Sequence, residues 1–415
     1  MKKPLIFLFV LFIQFVNSQE LALVKKNGKI GYISKDGNFK IEPQYKSAKS
    51  FSEGLAAVED NGKWGFIDTK GTWVIPATFK DTKEFNSGIA VVQKDKDWVY
   101  INTKGEVQTP PPTEKLFDFN DGVAFIRQGK KVGLINSKMT VVLEPKYDQI
   151  KSFENGYARV ENNKKWGIIN TSGKEVVEPL YDEVGNYFKN TTWARKDKTF
   201  GLVSSGNFIA VDGADKIWDF EIQDLTYARK GGKIGFIDIK GNWTILPIYD
   251  KAKAFSKNLA PVCIGSKWGY INPKAEFVIP PTYSDAEVFS SNGLAPVKEK
   301  NWGFINESGK LVIPTQYGIT ANGFVIALFV QQDKGFIDGI ARVKNEGKWG
   351  FLRPDGTVLS NQWFENAELF SKSKERNNVS EVAGEKPKAE TKPTAKAETK
   401  PATKPAAKPA AKKKK

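Results

Sequence analysis

The stretch NGKWGFIDTKG, residues 61–71, returns as NKKWGIINTSG at 163–173, GSKWGYINPK at 265–274, KNWGFINESG at 300–309 and EGKWGFLRPDG at 346–356. With the glycine of each Trp-Gly pair as a ruler, equivalent positions fall at Gly31, Gly65, Val99, Gly133, Gly167, Gly201, Gly235, Gly269 and Gly303, every interval being 34 residues. A tenth, Gly350, comes 47 residues later, so one unit carries a 13-residue insertion, residues 318–330. A fixed period of this length marks an array of one supersecondary unit.

Other residues keep step. Six after the ruler stands a glycine in most units, as at Gly71, Gly173, Gly241 and Gly309, and three before it Asp, Asn or Ser, as at Asp68, Asn170, Asp238 and Asn306. That pair predicts a type I turn closing a hairpin. A proline 11 or 12 after the ruler (Pro76, Pro179, Pro280, Pro314) marks the end or edge of the following strand. Aromatic residues lie 14 after it (Phe79, Tyr181, Tyr283) and 14 before the next ruler position (Phe85, Phe153, Phe289). A further strand fits segments such as GLAAVED, 54–60. Each unit is thus expected to be a meander of three strands. In KWGFID, Trp64 and Phe66 share one face, Gly65 and Ile67 the other. The ring would pack on a neighbouring unit and the glycine would let another backbone come close. Tetratricopeptide repeats share the 34-residue spacing, but prolines, turn glycines and alternation contradict helix pairs.

The recurring [KR]-W-G-[FYIL]-[IL]-[DN]-x-x-G…[VI]-x-P-x-[YF]…F…G-x-A pattern resembles the bacterial WG-repeat family over essentially residues 21–370. Val99 and the sixth unit, with Phe200 and no matching proline, depart from it. The resemblance implies an exported or envelope-associated repeat protein and no common catalytic activity. The expected fold is an all-β tandem array of about ten units, open and solenoid-like or superhelical, because ten exceeds the roughly four to eight blades of ordinary propellers. A propeller-like closed ring is the alternative.

Residues 1–18 read as a signal peptide: Lys2 and Lys3 precede an apolar run from Leu5 to Val16, and Val16 and Ser18 fit a cleavage site before Gln19. The run is shorter than the about 20 residues a spanning helix needs, and the mature chain is expected to hold no transmembrane segment and to be periplasmic, cell-surface or secreted. Residues 19–370 form the array. Residues 371–415 lack aromatics and hold 14 Lys+Arg against 5 Asp+Glu, which is +9 of the chain's +16, and are expected to be a disordered basic tail.

The chain has no histidine and one cysteine, Cys263. Ser-His-Asp and Cys-His pairs and His or thiolate metal clusters are thereby removed. No catalytic residue, cofactor or metal is expected, and the acids of VEDNG (58–62) and DFNDG (118–122) are read as turn formers. Cys263, inside LAPVCIG, is read as a small buried hydrophobe. The in-phase pairs Trp64-Gly65, Trp166-Gly167, Trp268-Gly269, Trp302-Gly303 and Trp349-Gly350 are assigned to repeat packing, as is Trp98. Trp193, Trp218 and Trp363, out of phase, are expected at the surface, and Trp73 and Trp243 form a minor in-phase pair. Phe324 and Phe329, inside the insertion, are candidate partner contacts.

The expected function is an exported non-enzymatic scaffold that binds protein or envelope polymer through its repeat surface. Its tail would be an electrostatic tether to polyanions, without sequence-specific reading of nucleic acid. A carbohydrate-binding module of the cell surface is the alternative.

Overall fold

The computed structural model describes residues 20–319 and 334–371. The signal peptide, Phe324 and Phe329, most of the insertion and the tail from 372 lie outside the described residues. Ten antiparallel sheets follow one another along the chain, seven of four strands and three of three. Unit eight is representative: a two-residue opening strand Lys251–Ala252, then Ala260–Ile264, Lys267–Ile271 and Phe277–Tyr283. The opening strand escapes the sequence reading because it is so short and follows Tyr249 after one residue, with no turn to announce it.

Two kinds of hairpin build each unit. Second and third strands join through a tight turn that in six units has positive φ at both central residues, as at Asn61 (50°) and Gly62 (78°), whose twist suits a two-residue connection. Third and fourth strands join through the turn that Asp68 and Gly71 announce. The Gly71 N–H donates to the Asp68 carbonyl at 3.0 Å, while Asp68 Oδ1 accepts from the N–H groups of Lys70 and Thr72, both at 2.9 Å.

The ruler glycine has a steric cause. In unit two the register runs Trp64↔Phe79 and then Phe66↔Ile75, so four residues of the fourth strand oppose two of the third. This bulge, containing Pro76, presses its backbone onto the third strand. A Cβ on Gly65 would stand 2.5 Å from the Ile75 oxygen and 2.6 Å from the Ala77 nitrogen, and Gly167, Gly235 and Gly269 face the same arrangement. The approaching backbone therefore belongs to the same unit. Val99 is the informative exception. Its fourth strand is only Val107–Gln108, paired without a bulge, and Pro110 to Pro112 then carry the chain away. The register also explains the aromatic 14 after the ruler, which stands opposite the tryptophan (Trp64↔Phe79, Trp166↔Tyr181, Trp268↔Tyr283) as a cross-strand pair.

The expectation of an open array is corrected: the units close into a ten-bladed β-propeller. The last strand, Asn366–Ala367, pairs with Leu21–Lys26 of the first sheet through Val24↔Ala367 and Lys25↔Asn366. Around this rung Glu365 N–H donates to the Lys25 carbonyl and Glu368 N–H to that of Leu23, each at 2.9 Å. The C-terminal segment thus gives unit one the opening strand that most other units take from their own sequence. The cores count the same way. Ten clusters each join two successive units, and the tenth packs Ala22, Val24 and Ile33 with Trp349, Phe351 and Phe364. An open file of ten would have nine. Within these interfaces the residue after the ruler glycine meets the next unit's phenylalanine, as in Tyr32–Phe51 (4.7 Å), Phe66–Phe85 (4.6 Å) and Tyr270–Phe289 (5.0 Å). Phe351–Phe370, at 5.0 Å, carries the same contact across the closure.

Candidate functional site

The recurring tryptophans face the next unit. Trp268, Trp302 and Trp349 are buried, and Trp64 and Trp166 are half-buried against their inter-unit cores. Each of these five carries a cation above its ring: Lys49 on Trp64 (5.5 Å), Lys151 on Trp166 (5.4 Å), Lys253 on Trp268 (5.0 Å), Lys298 on Trp302 (5.8 Å) and Arg342 on Trp349 (4.8 Å). A ring packed on one side and covered by an ammonium or guanidinium on the other offers no free face. The glycines of these pairs, Gly65, Gly167, Gly269 and Gly303, lie against the bulge, while Gly350 lies against the Trp363 ring.

The out-of-phase tryptophans are not where expected. Trp193 is half-buried, its Nε1 donating to Asp219 at 2.7 Å, Trp218 stacks on Tyr227 at 4.8 Å, and Trp363 packs against the core between units nine and ten. In unit ten, which lacks a fourth strand, the Trp363 ring stands against Gly350 where the bulge stands against the ruler glycine elsewhere. The exposed rings are Trp73 and Trp98, each 40% accessible.

Trp73 belongs to a wider feature that the repeat pattern conceals. The fourth strand is the last of its sheet in most units and alternates inward and outward residues. On units seven and eight the exposed apolar residues of these strands are Leu246, Ile248, Phe277 and Val278, with Leu246 69% exposed. The two strands are neighbours, since Tyr249 of one meets Phe277 of the next edge-on at 6.5 Å. Pro247 and Pro280 remove a backbone donor from the middle of each edge, which discourages a foreign strand from adding there. What remains is recognition by side chains. The alternation was visible in TILPIYD (244–250), but its outward side was indistinguishable from core until the sheet order was known.

The polar groups at unit boundaries are structural. The Tyr147 hydroxyl donates to Glu175 of the following unit, which holds that carboxyl below its ordinary range with help from Lys146 at 3.1 Å. Burial raises the Cys263 thiol, which is 2% exposed. Among the described residues no group of Cys, Asp and Glu is placed to hold a metal, and no helix is long and apolar enough to cross a membrane.

No curated protein matches the chain. Among solved structures it is similar to a eukaryotic initiation factor (12% identity, 71% of this chain and 95% of that one, TM-score 0.41). It is also similar to Hsv2 of Kluyveromyces lactis (10% identity, 56% and 87%, TM-score 0.30). A third similar structure is PorZ, titled an essential bacterial surface component of the type-IX secretion system of Porphyromonas gingivalis (10% identity, 85% and 59%, TM-score 0.23). None reaches the overlap at which anything would follow for this chain. The family comparison is of another order. The WG containing repeat model matches at residues 30–64, 64–98, 98–131, 133–166, 166–200, 234–268, 268–301 and 302–318, more than half of the sequence, and the chain belongs to the WG containing repeat family.

Proposed function

We propose that this propeller is an exported, non-enzymatic scaffold that binds a protein or envelope partner through the exposed apolar sides of its edge strands. The tail 371–415 serves as an electrostatic tether. The observation that carries the reading is the exposure of Leu246, Ile248, Phe277 and Val278 on the fourth strands of two successive units, whose prolines discourage strand addition. Exposed apolar side chains on a rigid support are where partners bind. Export rests on the leader-like residues 1–18. The carbohydrate-module reading, built on tryptophan platforms, has less behind it because five of the six rings at the recurring Trp-Gly position are already covered.

The test is co-sedimentation of the mature chain with envelope fractions across a salt series, with and without residues 372–415, and with Leu246→Ser combined with Phe277→Ser. Binding that survives tail removal and high salt but fails in the double variant supports the edge-strand surface. Binding that the double variant leaves intact refutes it, and binding that vanishes with the tail reduces the ring to a spacer for a polyanion-binding tail.

A further inference from the structure

Unit four departs from its neighbours where its opening strand should be. In unit five the N–H groups of Asp148 and Lys151 donate to the carbonyls of Glu161 and Arg159, both at 2.9 Å. Unit four keeps the first of these rungs, Glu114 to Arg127 at 3.2 Å, and loses the second. The Phe117 N–H goes instead to the Tyr100 hydroxyl at 3.1 Å, and that hydroxyl donates to the Phe117 carbonyl at 2.7 Å. Pro110, Pro111 and Pro112 stand just before this segment and hold it extended, with no donors for a ladder. Drawn toward unit three, the segment leaves a half-open crevice of about 400 Å³ between units four and five. That volume lies within the roughly 300–1,000 Å³ of small-molecule sites.

The groups around this crevice are unusual for their repeat positions. Arg127, Arg195 and Arg229 occupy equivalent places near the ends of second strands. Arg195 is paired with Glu183 at 2.8 Å and Asp182 at 3.6 Å, and Arg229 with Asp215. Arg127 has only the ring of Phe117, at 5.9 Å, because Glu114 is engaged by the Gly129 N–H at 2.7 Å. Glu161, 34 residues on, lines the same crevice, as does Gln149, and neither side chain has a hydrogen bond or ion pair among the described residues. Asp148 adds carboxylate oxygens already balanced by Lys131 at 2.8 Å. Phe117 and Phe125, edge-on at 5.6 Å and half-buried, supply an apolar wall.

We infer that the crevice between units four and five binds a neutral pyranose sugar, through Arg127, Glu161 and Gln149 around the Phe117–Phe125 wall. Arg127 offers donors only, Glu161 acceptors only and Gln149 both, which is the complement of adjacent sugar hydroxyls that each donate and accept. The apolar C–H face of a pyranose suits the half-buried Phe125 ring, since Lys115 and Arg127 stand over that of Phe117. Arg127 and Glu161 in the lining and the Lys131–Asp148 pair offset one another in charge, with the Lys115 ammonium 5.2 Å from the Phe117 ring centroid as a further cation at the rim. The site is independent of the edge-strand surface on units seven and eight.

The experiment is saturation-transfer NMR and calorimetry on the full chain with methyl glycosides of glucose, galactose, mannose and N-acetylglucosamine. The variants are Arg127→Gln, Glu161→Gln and Phe117→Leu, with the paired Arg229→Gln as control. At least one glycoside is expected to bind saturably, with affinity at least about tenfold weaker in Arg127→Gln and in Glu161→Gln, the loss of a hydrogen bond to a charged group. Arg229→Gln should bind as the parent does, and melting temperatures report folding. Should Arg127→Gln misfold, the shape-conserving Glu161→Gln carries the test alone. The proposal is overturned if no glycoside binds saturably, if Glu161→Gln binds like the parent, or if glycine or alanine binds in the crevice and the glycosides do not.

Discussion

Placing one methyl group on Gly65 should damage the propeller more than placing one on the turn glycine Gly62. A Cβ there would lie 2.5 Å from the Ile75 oxygen, 2.6 Å from the Ala77 nitrogen and 2.7 Å from the Ala77 Cα, all backbone atoms, against an ordinary contact of 3.4 Å or more. The fourth strand would have to retreat by 3.4 − 2.5, or 0.9 Å. A ladder hydrogen bond of about 2.9 Å would then reach about 3.8 Å and be lost. Two such bonds at about 1 kcal/mol each, with about 1–3 kcal/mol for overpacking, give about 3–5 kcal/mol for Gly65→Ala. Gly62→Ala is the comparison. Nothing lies within 4 Å of its Cβ, so only its φ of 78° matters, worth about 1–2 kcal/mol. Guanidinium unfolding gives the global effect, and hydrogen exchange of the Lys63–Asp68 amides gives the local one if the ring opens piecewise. A Gly65→Ala cost no greater than that of Gly62→Ala would refute the bulge as the reason for the recurring glycine. Gly350→Ala should fall between them, since its Cβ meets only the Trp363 ring, at 2.7 Å, and a side chain can move.

Ending the chain at Phe364 removes the Glu365 and Glu368 hydrogen bonds to the first strand and the Phe370–Phe351 contact. That is at least about 3 kcal/mol, to be seen as a lower melting temperature and, by size exclusion, as association through the freed edge of Leu21–Lys26. Glu175 has a depressed folded pKa, chiefly from the Tyr147 hydroxyl, so its contribution is complete above the ordinary glutamate pKa of about 4.3 and lost as pH falls through the folded value. The stability gap between the parent and Tyr147→Phe should therefore close on acidification through that window in pH-dependent melts, and a constant gap would remove the carboxylate from the account. Cys263, buried and with its thiol raised by burial, should react with a disulfide reagent only as fast as unit eight opens, so prompt labelling of native protein would contradict its placement.

Much of this fold was legible because each unit repeats its own local chemistry. Asp68 and Gly71 announce one hairpin and the alternation in KWGFID announces a strand, each within a few residues of sequence. Closure was not legible, for it depends on a two-residue pairing of Lys25 with Asn366, and no local signal reports contacts so distant in sequence. Counting blades misled for the same reason: the angle between neighbours is set by how rings such as Tyr32 and Phe51 interdigitate, and not by the repeat length. The outward face of Leu246 and Ile248 shares its composition with core, and only sheet order separates the two. Arg127 and Glu161 were in phase and in plain view, yet what distinguishes Arg127 is the loss of one rung at Phe117, which the three prolines caused and a repeat count passes over.

Closure also bears on how such a gene can change. A file of repeats can gain or shed a copy at either end, and only the new junction needs to fit. Here the ten sheets divide a full turn, 360/10, into wedges of 36°, so an eleventh copy would require every wedge to narrow at once. Duplication and deletion within the reading frame should consequently be strongly selected against. Divergence would then proceed by substitution inside individual copies, as at Val99, and by inserts between strands, as with the 13 extra residues after Tyr317.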